Sequence, residues 1–142
     1  MEQSVTLTAA RPGLETGGPR VLVVVRDARL RSAVDATLRA NGMQVVHCDS
    51  IESVGDSIAG RPGEVVLLDW SKTAGLLTEG RRGDMRELCR QTPVVLLVPE
   101  RWMRLVSAKE LGVLSLLPKT SGMASLLEAL AGAAGADARA PT

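Results

Sequence analysis

The chain is 142 residues long, enough for one domain of ordinary size and too short for a multidomain enzyme. Its 45% hydrophobic and 23% charged residues exclude general disorder, and 17 basic against 16 acidic side chains leave a net charge of +1, so no whole-molecule field draws it to nucleic acid or an anionic membrane. Phe and Tyr are absent, leaving Trp70 and Trp102, so the core must be aliphatic and the stacking platforms of most single-strand nucleic-acid binders are missing.

Residues 1–19 mix Ser, Thr, Gly, Pro and charges without a period and read as a flexible tail; Gly17, Gly18 and Pro19 form no phosphate-binding loop pattern. A first apolar run at 21–25 is followed by Leu30, Val34 and Leu38, four residues apart, and by Gly42, which predicts an amphipathic helix over 28–41. The second run, 45–48, contains His47, read as an end-of-strand side chain. As the only histidine it excludes a His-based triad or a multi-His metal site within one chain. Asp49 or Ser50 caps a short helix carrying Ile51, Val54 and Ile58, ended by Gly60, Arg61, Pro62 and Gly63. After the third run, 65–68, a helix over 84–91 places Met85, Leu88 and Cys89 on one side, and Pro93 precedes the fourth run, 94–98. A helix over 101–111 stops at Gly112, with Leu105, Ala108 and Leu111, or Val106 and Leu111, as its inner face. The fifth run, 114–117, leads to a last helix capped by Thr120 or Ser121, with Met123, Leu126, Leu127 and Leu130 inward. Residues 132–142 read as a flexible tail or linker.

The five runs are continuous in Val and Leu rather than alternating, the pattern of strands covered on both faces. With a helix after each, right-handed crossovers give a doubly wound (βα)5 sheet, flavodoxin-like, in strand order 2-1-3-4-5. Cys48 and Cys89 stand apart with no C-x-x-C and no secretory signal before them, which points to a reducing cytoplasm. The longest apolar runs are about five residues, far short of the ~20 that cross a bilayer.

Such sheets carry function at the carboxyl ends of their strands. Here those ends offer Val25, Arg26 and Asp27; Asp69 and Trp70; Val98, Pro99 and Glu100; and Pro118, Lys119 and Thr120. Asp69 directly follows a buried strand, a plausible nucleophile position, and Lys119 is its natural ion-pair partner. Phosphoryl transfer to a carboxylate needs Mg²⁺ on more than one acid, and Asp27 is the only further candidate at the first strand end. No complete catalytic constellation is present, so an independent enzyme is not expected.

The ordered segments RVLVVVRDARLR, GMQVVHCDSIESV, EVVLLDW, TPVVLLVPE and LGVLSLLPKTSGMASLLEAL give residues 20–131 a resemblance to bacterial response-regulator receiver domains. The resemblance places Asp69 at the phospho-accepting aspartate, Lys119 at the family lysine and Arg31 at the common arginine of the first helix. It also exposes departures. Val25 and Arg26 stand where the family has an acidic pair for Mg²⁺, Val98 replaces the switch Ser or Thr, Leu116 the fifth-strand aromatic, and the loop over 71–75 lacks the usual proline. These departures imply an atypical, or pseudo-, receiver that signals by protein contact without Mg²⁺-dependent phosphorylation and needs no cofactor. Arg26 is expected to take the place of the metal by pairing with Asp69, alone or with Lys119. The alternatives are a phospho-accepting receiver holding Mg²⁺ through Asp27 and a backbone carbonyl, and the regulatory domain of a longer DNA-binding or ParA-like ATPase protein.

Partners are expected to be proteins, whether kinase, effector or a second copy in a homodimer, bound through the face from the fourth helix to the fifth, where Trp102 and Met103 are the candidate contacts. Direct binding of nucleic acid or membrane is not expected. Arg81, Arg82, Arg86, Arg90, Arg101 and Arg104 crowd the third and fourth helical regions, but Glu79, Asp84, Glu87 and Glu100 interrupt them, so an ordinary solvated surface is expected. The tripeptide Arg82, Gly83, Asp84 is read as a chance match to an adhesion motif.

Overall fold

Five parallel strands form one sheet in a computed structural model that describes residues 18–59, 63–69, 79–104 and 107–139, the side chains of 79–84, 110 and 136–139 excepted. In chain order the elements are β1 (Arg20–Val24), α1 (Ala28–Ala40), β2 (Gln44–His47), α2 (Ile51–Ser57), β3 (Glu64–Asp69), α3 (Glu79–Gln91), β4 (Val94–Val98), a 3-10 turn (Glu100–Trp102), α4 (Ala108–Leu111), β5 (Ser115–Pro118) and α5 (Met123–Arg139). The sheet runs β2-β1-β3-β4-β5, the flavodoxin-like order expected from the sequence.

The uninterrupted apolar runs follow from double coverage. Every residue of β3 and β4 and all but the first of β1 are buried, whereas the edge strands β2 and β5 are not. Side chains alternate between two cores. Leu22, Val24, Val66, Leu68, Leu96 and Val98 join Ile51 and Val54 of α2, Met85 and Leu88 of α3, and Leu111 of α4. Val21, Val23, Val25, Val65, Leu67, Val95 and Leu97 join Val34 and Leu38 of α1 and Leu126 and Leu130 of α5.

Local signals set most helix ends. Asp27 caps α1 with its carboxylate on the amides of Arg29 and Leu30, and Gly42 (φ 80°) turns the chain into β2. Of the two caps offered for α2, Ser50 is the one used, its hydroxyl accepting from the Ser53 amide at 3.1 Å. The structure corrects other expectations. The helix expected over 101–111 is split into the 3-10 turn and a single turn of α4, which opens with Ser107 accepting from the Leu111 amide; serine favours helix starts over interiors, and 105–106 lie outside the described residues. Neither Thr120 nor Ser121 stands at the cap of α5: Gly122 does, its carbonyl taking the first helical bond from Leu126. Then α5 runs to Arg139 where a loose tail was expected after 131, because alanine-rich chain is strongly helix-forming and Ala133 and Ala134 are buried. Likewise α3 starts at Glu79, five residues before the expected 84. Gly60, Arg61, Pro62 and the segment 1–17 lie outside the described residues, although Gly18 already bonds to the Gly42 carbonyl at 3.2 Å.

Candidate functional site at the carboxyl edge of the sheet

Asp69 is the last residue of β3, opposite Leu97 of β4, and is fully buried. A buried carboxylate requires a partner, and Lys119 supplies one: Nζ stands 2.5 Å from Asp69 Oδ1. The topology makes this a lysine's task. β5 lies two strands from β3, about 10 Å, so the cation must cross the end of β4. The Lys119 amide donates to the Val98 carbonyl at 2.8 Å, anchoring the main chain there while the long side chain reaches across. Lys119 is not the only group with which Asp69 interacts.

At the end of β1, Val25 is buried in the α1/α5 core and Arg26 is exposed. The expected Arg26–Asp69 pair is absent among the described residues, and Lys119 alone of the two cations pairs with Asp69. Alternation explains the miss. Val25 continues the Val21 and Val23 side, as Asp69 continues that of Val65 and Leu67, so the next side chain, Arg26, turns the other way. Asp27 is spent locally: its Oδ1 accepts from Arg29 N at 2.8 Å and Leu30 N at 3.1 Å. An Mg²⁺ ion demands several oxygen donors near octahedral geometry. Here the site presents an apolar side chain, an exposed guanidinium, a capping carboxylate and a carboxylate already held by an ammonium, and these residues do not fit it. Among the described residues no three His, Cys, Asp or Glu side chains gather as metal ligands.

Val98 is buried in the α2/α3/α4 core and offers the site only its carbonyl; Leu116, beside Leu96, is half-buried on the same side. Glu100 accepts from the Thr120 hydroxyl at 3.2 Å, bridging the ends of β4 and β5 beside the Asp69–Lys119 pair. Trp102 and Met103, expected as partner contacts, are half-buried and pack on that core; among the described residues Leu114, about half exposed, is the large apolar side chain that stands out. Arg31 is exposed on α1, lining a surface cavity with Ser32, Asp35 and His47. Trp70, the loop 71–75, Leu105 and Val106, and the side chains of Glu79, Arg81, Arg82 and Asp84, lie outside the described residues, although the backbone of 82–84 is helical within α3.

Sequence reasoning missed two polar clusters. At the amino end of the sheet, buried Glu64 pairs with Arg20 and accepts from the Ala59 amide through both carboxylate oxygens, while Arg20 also donates to the Ser57 carbonyl at 3.1 Å. The available signal was a carboxylate opening an otherwise apolar central strand. Along the β2 edge, Asp35 Oδ1 accepts from Arg39 Nε and meets His47 Nε2, each at 2.9 Å. Those contacts, the His47 hydrogen bond foremost, hold the Asp35 carboxyl below its ordinary range.

No protein-family model matches the chain, and no curated protein sequence matches it. Solved structures do. It superposes on full-length FixJ from B. japonicum (TM-score 0.68, 21% identity, 89% of this chain and 62% of that one), on a response regulator from Thermotoga maritima (0.63, 18%, 83% and 98%) and on a response regulator receiver protein from Burkholderia phymatum (0.59, 21%, 82% and 95%). The chain therefore spans less than two thirds of FixJ. At these identities the likeness establishes a common fold.

Proposed function

We propose that this chain is an atypical receiver module of two-component-type signalling, which regulates by protein contact and takes no Mg²⁺-dependent phosphoryl group on Asp69. The observation that carries the reading is the site itself. Asp69 and Lys119 stand together as an acceptor carboxylate and its lysine would, at 2.5 Å, but the β1 end beside them gives Val25 and Arg26 in place of acids. Charge at Asp69 is balanced by Lys119 without a metal. The switch position, Val98, has no hydroxyl to follow a phosphoryl group. The fold shared with response regulators supports the class.

The partner is a protein, whether a kinase, an effector or a second copy, engaged on the α4–β5–α5 face, where Leu114 is exposed and Trp102 and Met103 stand at the margin. No independent catalysis is assigned. The protein works in the cytoplasm, a reading supported by two free cysteines and by the absence, among the described residues, of any helix long and apolar enough to cross a membrane. Incubation with acetyl phosphate and millimolar Mg²⁺, followed by intact mass measurement, should give no phosphoryl adduct. An adduct lost in Asp69→Asn would establish the phospho-accepting alternative instead.

A further inference from the structure

Between α3 and α4 lies a surface cavity of about 270 Å³ lined by Arg86, Cys89, Arg90 and Gly112. Two features keep it open. α4 is a single turn, and Gly112, at φ 82°, follows it with no side chain; a Cβ there would stand 3.7 Å from Cys89 Cβ, over the floor of the cavity. The half-buried Cys89 thiol forms that floor, and burial pushes it up to about 11, so it is a neutral, weakly polar surface at physiological pH.

Among the described side chains of α3, the arginines and the glutamate line different cavities. Arg86 and Arg90, four residues apart and both exposed, flank the cavity, and its described lining contains no carboxylate. Glu87 lines a different groove, against Ile51, Glu52 and Gly55 of α2. It does pair with Arg90 at 2.5 Å, but both side chains are mostly exposed, the kind of ion pair that contributes little and yields to a stronger acceptor. Arg86 has no ion-pair partner among the described residues. Two guanidinium groups over a neutral floor suit an oxyanion whose several oxygens accept from both forks.

We propose that the α3–α4 cavity is a binding site for the phosphoryl group of a small molecule, with Arg86 and Arg90 gripping its oxygens and Cys89 and Gly112 forming the floor. The volume is near the lower end of small-molecule sites, which fits a phosphate or diphosphate head with a compact body rather than a large nucleotide. The site lies on the flank of the sheet, with residues separate from Asp69 and Lys119, and does not depend on how that pair functions.

The test uses the full chain and inorganic pyrophosphate in metal-free buffer. Amide shifts should saturate at millimolar ligand and be confined to 86–90 and Gly112, and Arg86→Gln should weaken the titration roughly tenfold, as loss of a charge-assisted contact does. As a second readout on the unaltered chain, pyrophosphate at twice its dissociation constant should slow alkylation of Cys89 roughly threefold and leave Cys48 unchanged. Shifts reproduced by chloride at equal ionic strength, or spread over Arg101 and Arg104 as well, would overturn the proposal. So would an unaltered affinity in Arg86→Gln, or equal protection of both cysteines.

Discussion

Asp69 has no exposure, and its ammonium partner is 27% exposed, so the pair combines a buried charge with a cation that keeps one side in water. Removing the cation leaves a desolvated carboxylate without its ammonium, the costly case for buried pairs. Lys119→Ala should therefore destabilise the fold by about 3 kcal/mol, read from urea unfolding at neutral pH. Asp69→Asn with Lys119→Met should recover part of that loss, because it removes both charges together. At the other polar cluster, Asp35 titrates below its ordinary value when folded, with the His47 hydrogen bond as the first cause and Arg39 as the second. A depressed carboxylate contributes stability above its unfolded pKa and loses it as pH falls through the folded one. Asp35→Asn should lower stability in the neutral range and flatten its fall below about pH 4, the two proteins converging at low pH, as unfolding measured across pH would reveal.

Among the elements, α1 best illustrates what a sequence conveys. Leu30, Val34 and Leu38 give its period, Gly42 its end, and the helix observed over Ala28–Ala40 follows. The role of its first neighbour was less legible. Asp27 reads in the sequence as a possible metal ligand at the strand end, and the structure makes it the cap of α1. Asp27→Ala should cost about 1 kcal/mol of stability, checked by thermal or urea unfolding. The same variant should leave any response to Mg²⁺ unchanged, since its carboxylate is engaged by α1. α4 was misread because Leu105, Val106, Ala108 and Leu111 allow two inner faces, and a pattern that fits two faces defines neither; Ser107 then starts a helix in the middle of the expected one. The far end of α5 was misread for the opposite reason. Ala and Gly without large side chains resemble a linker, yet Ala133 and Ala134 are small enough to pack closely under the sheet.

For the molecule as a whole, strand order and double coverage were legible because both rest on composition over many residues: three central strands with no exposed apolar position, followed by amphipathic helices. The site was legible in position and in its Asp69–Lys119 pairing, but not in the contact expected of Arg26. Asp69 and Lys119 were found because strand ends in this topology are few, and sheet order brings them together. The Arg26 pairing failed because the direction of a side chain one residue past a strand is set by backbone geometry and not by the identity of its neighbours. The Arg20–Glu64 pair, which ties β1 and β3 to the end of α2, was missed because a strand's first residue is ordinarily solvated. Together these place the Asp69–Lys119 pair at the carboxyl edge of the sheet and the Arg20–Glu64 pair at the amino edge.

The function proposed here requires that Asp69, held by Lys119 in one state, not answer to Mg²⁺ or phosphate. A titration of the ¹⁵N-labelled chain with Mg²⁺ and then beryllofluoride, following the amides of Asp69, Val98 and Lys119, tests it most directly. No saturable shift of these resonances is expected at millimolar Mg²⁺, and none on adding beryllofluoride. Saturable shifts that begin at Asp69 and spread to Val98 and Lys119 would contradict it and mark a working phosphoryl switch.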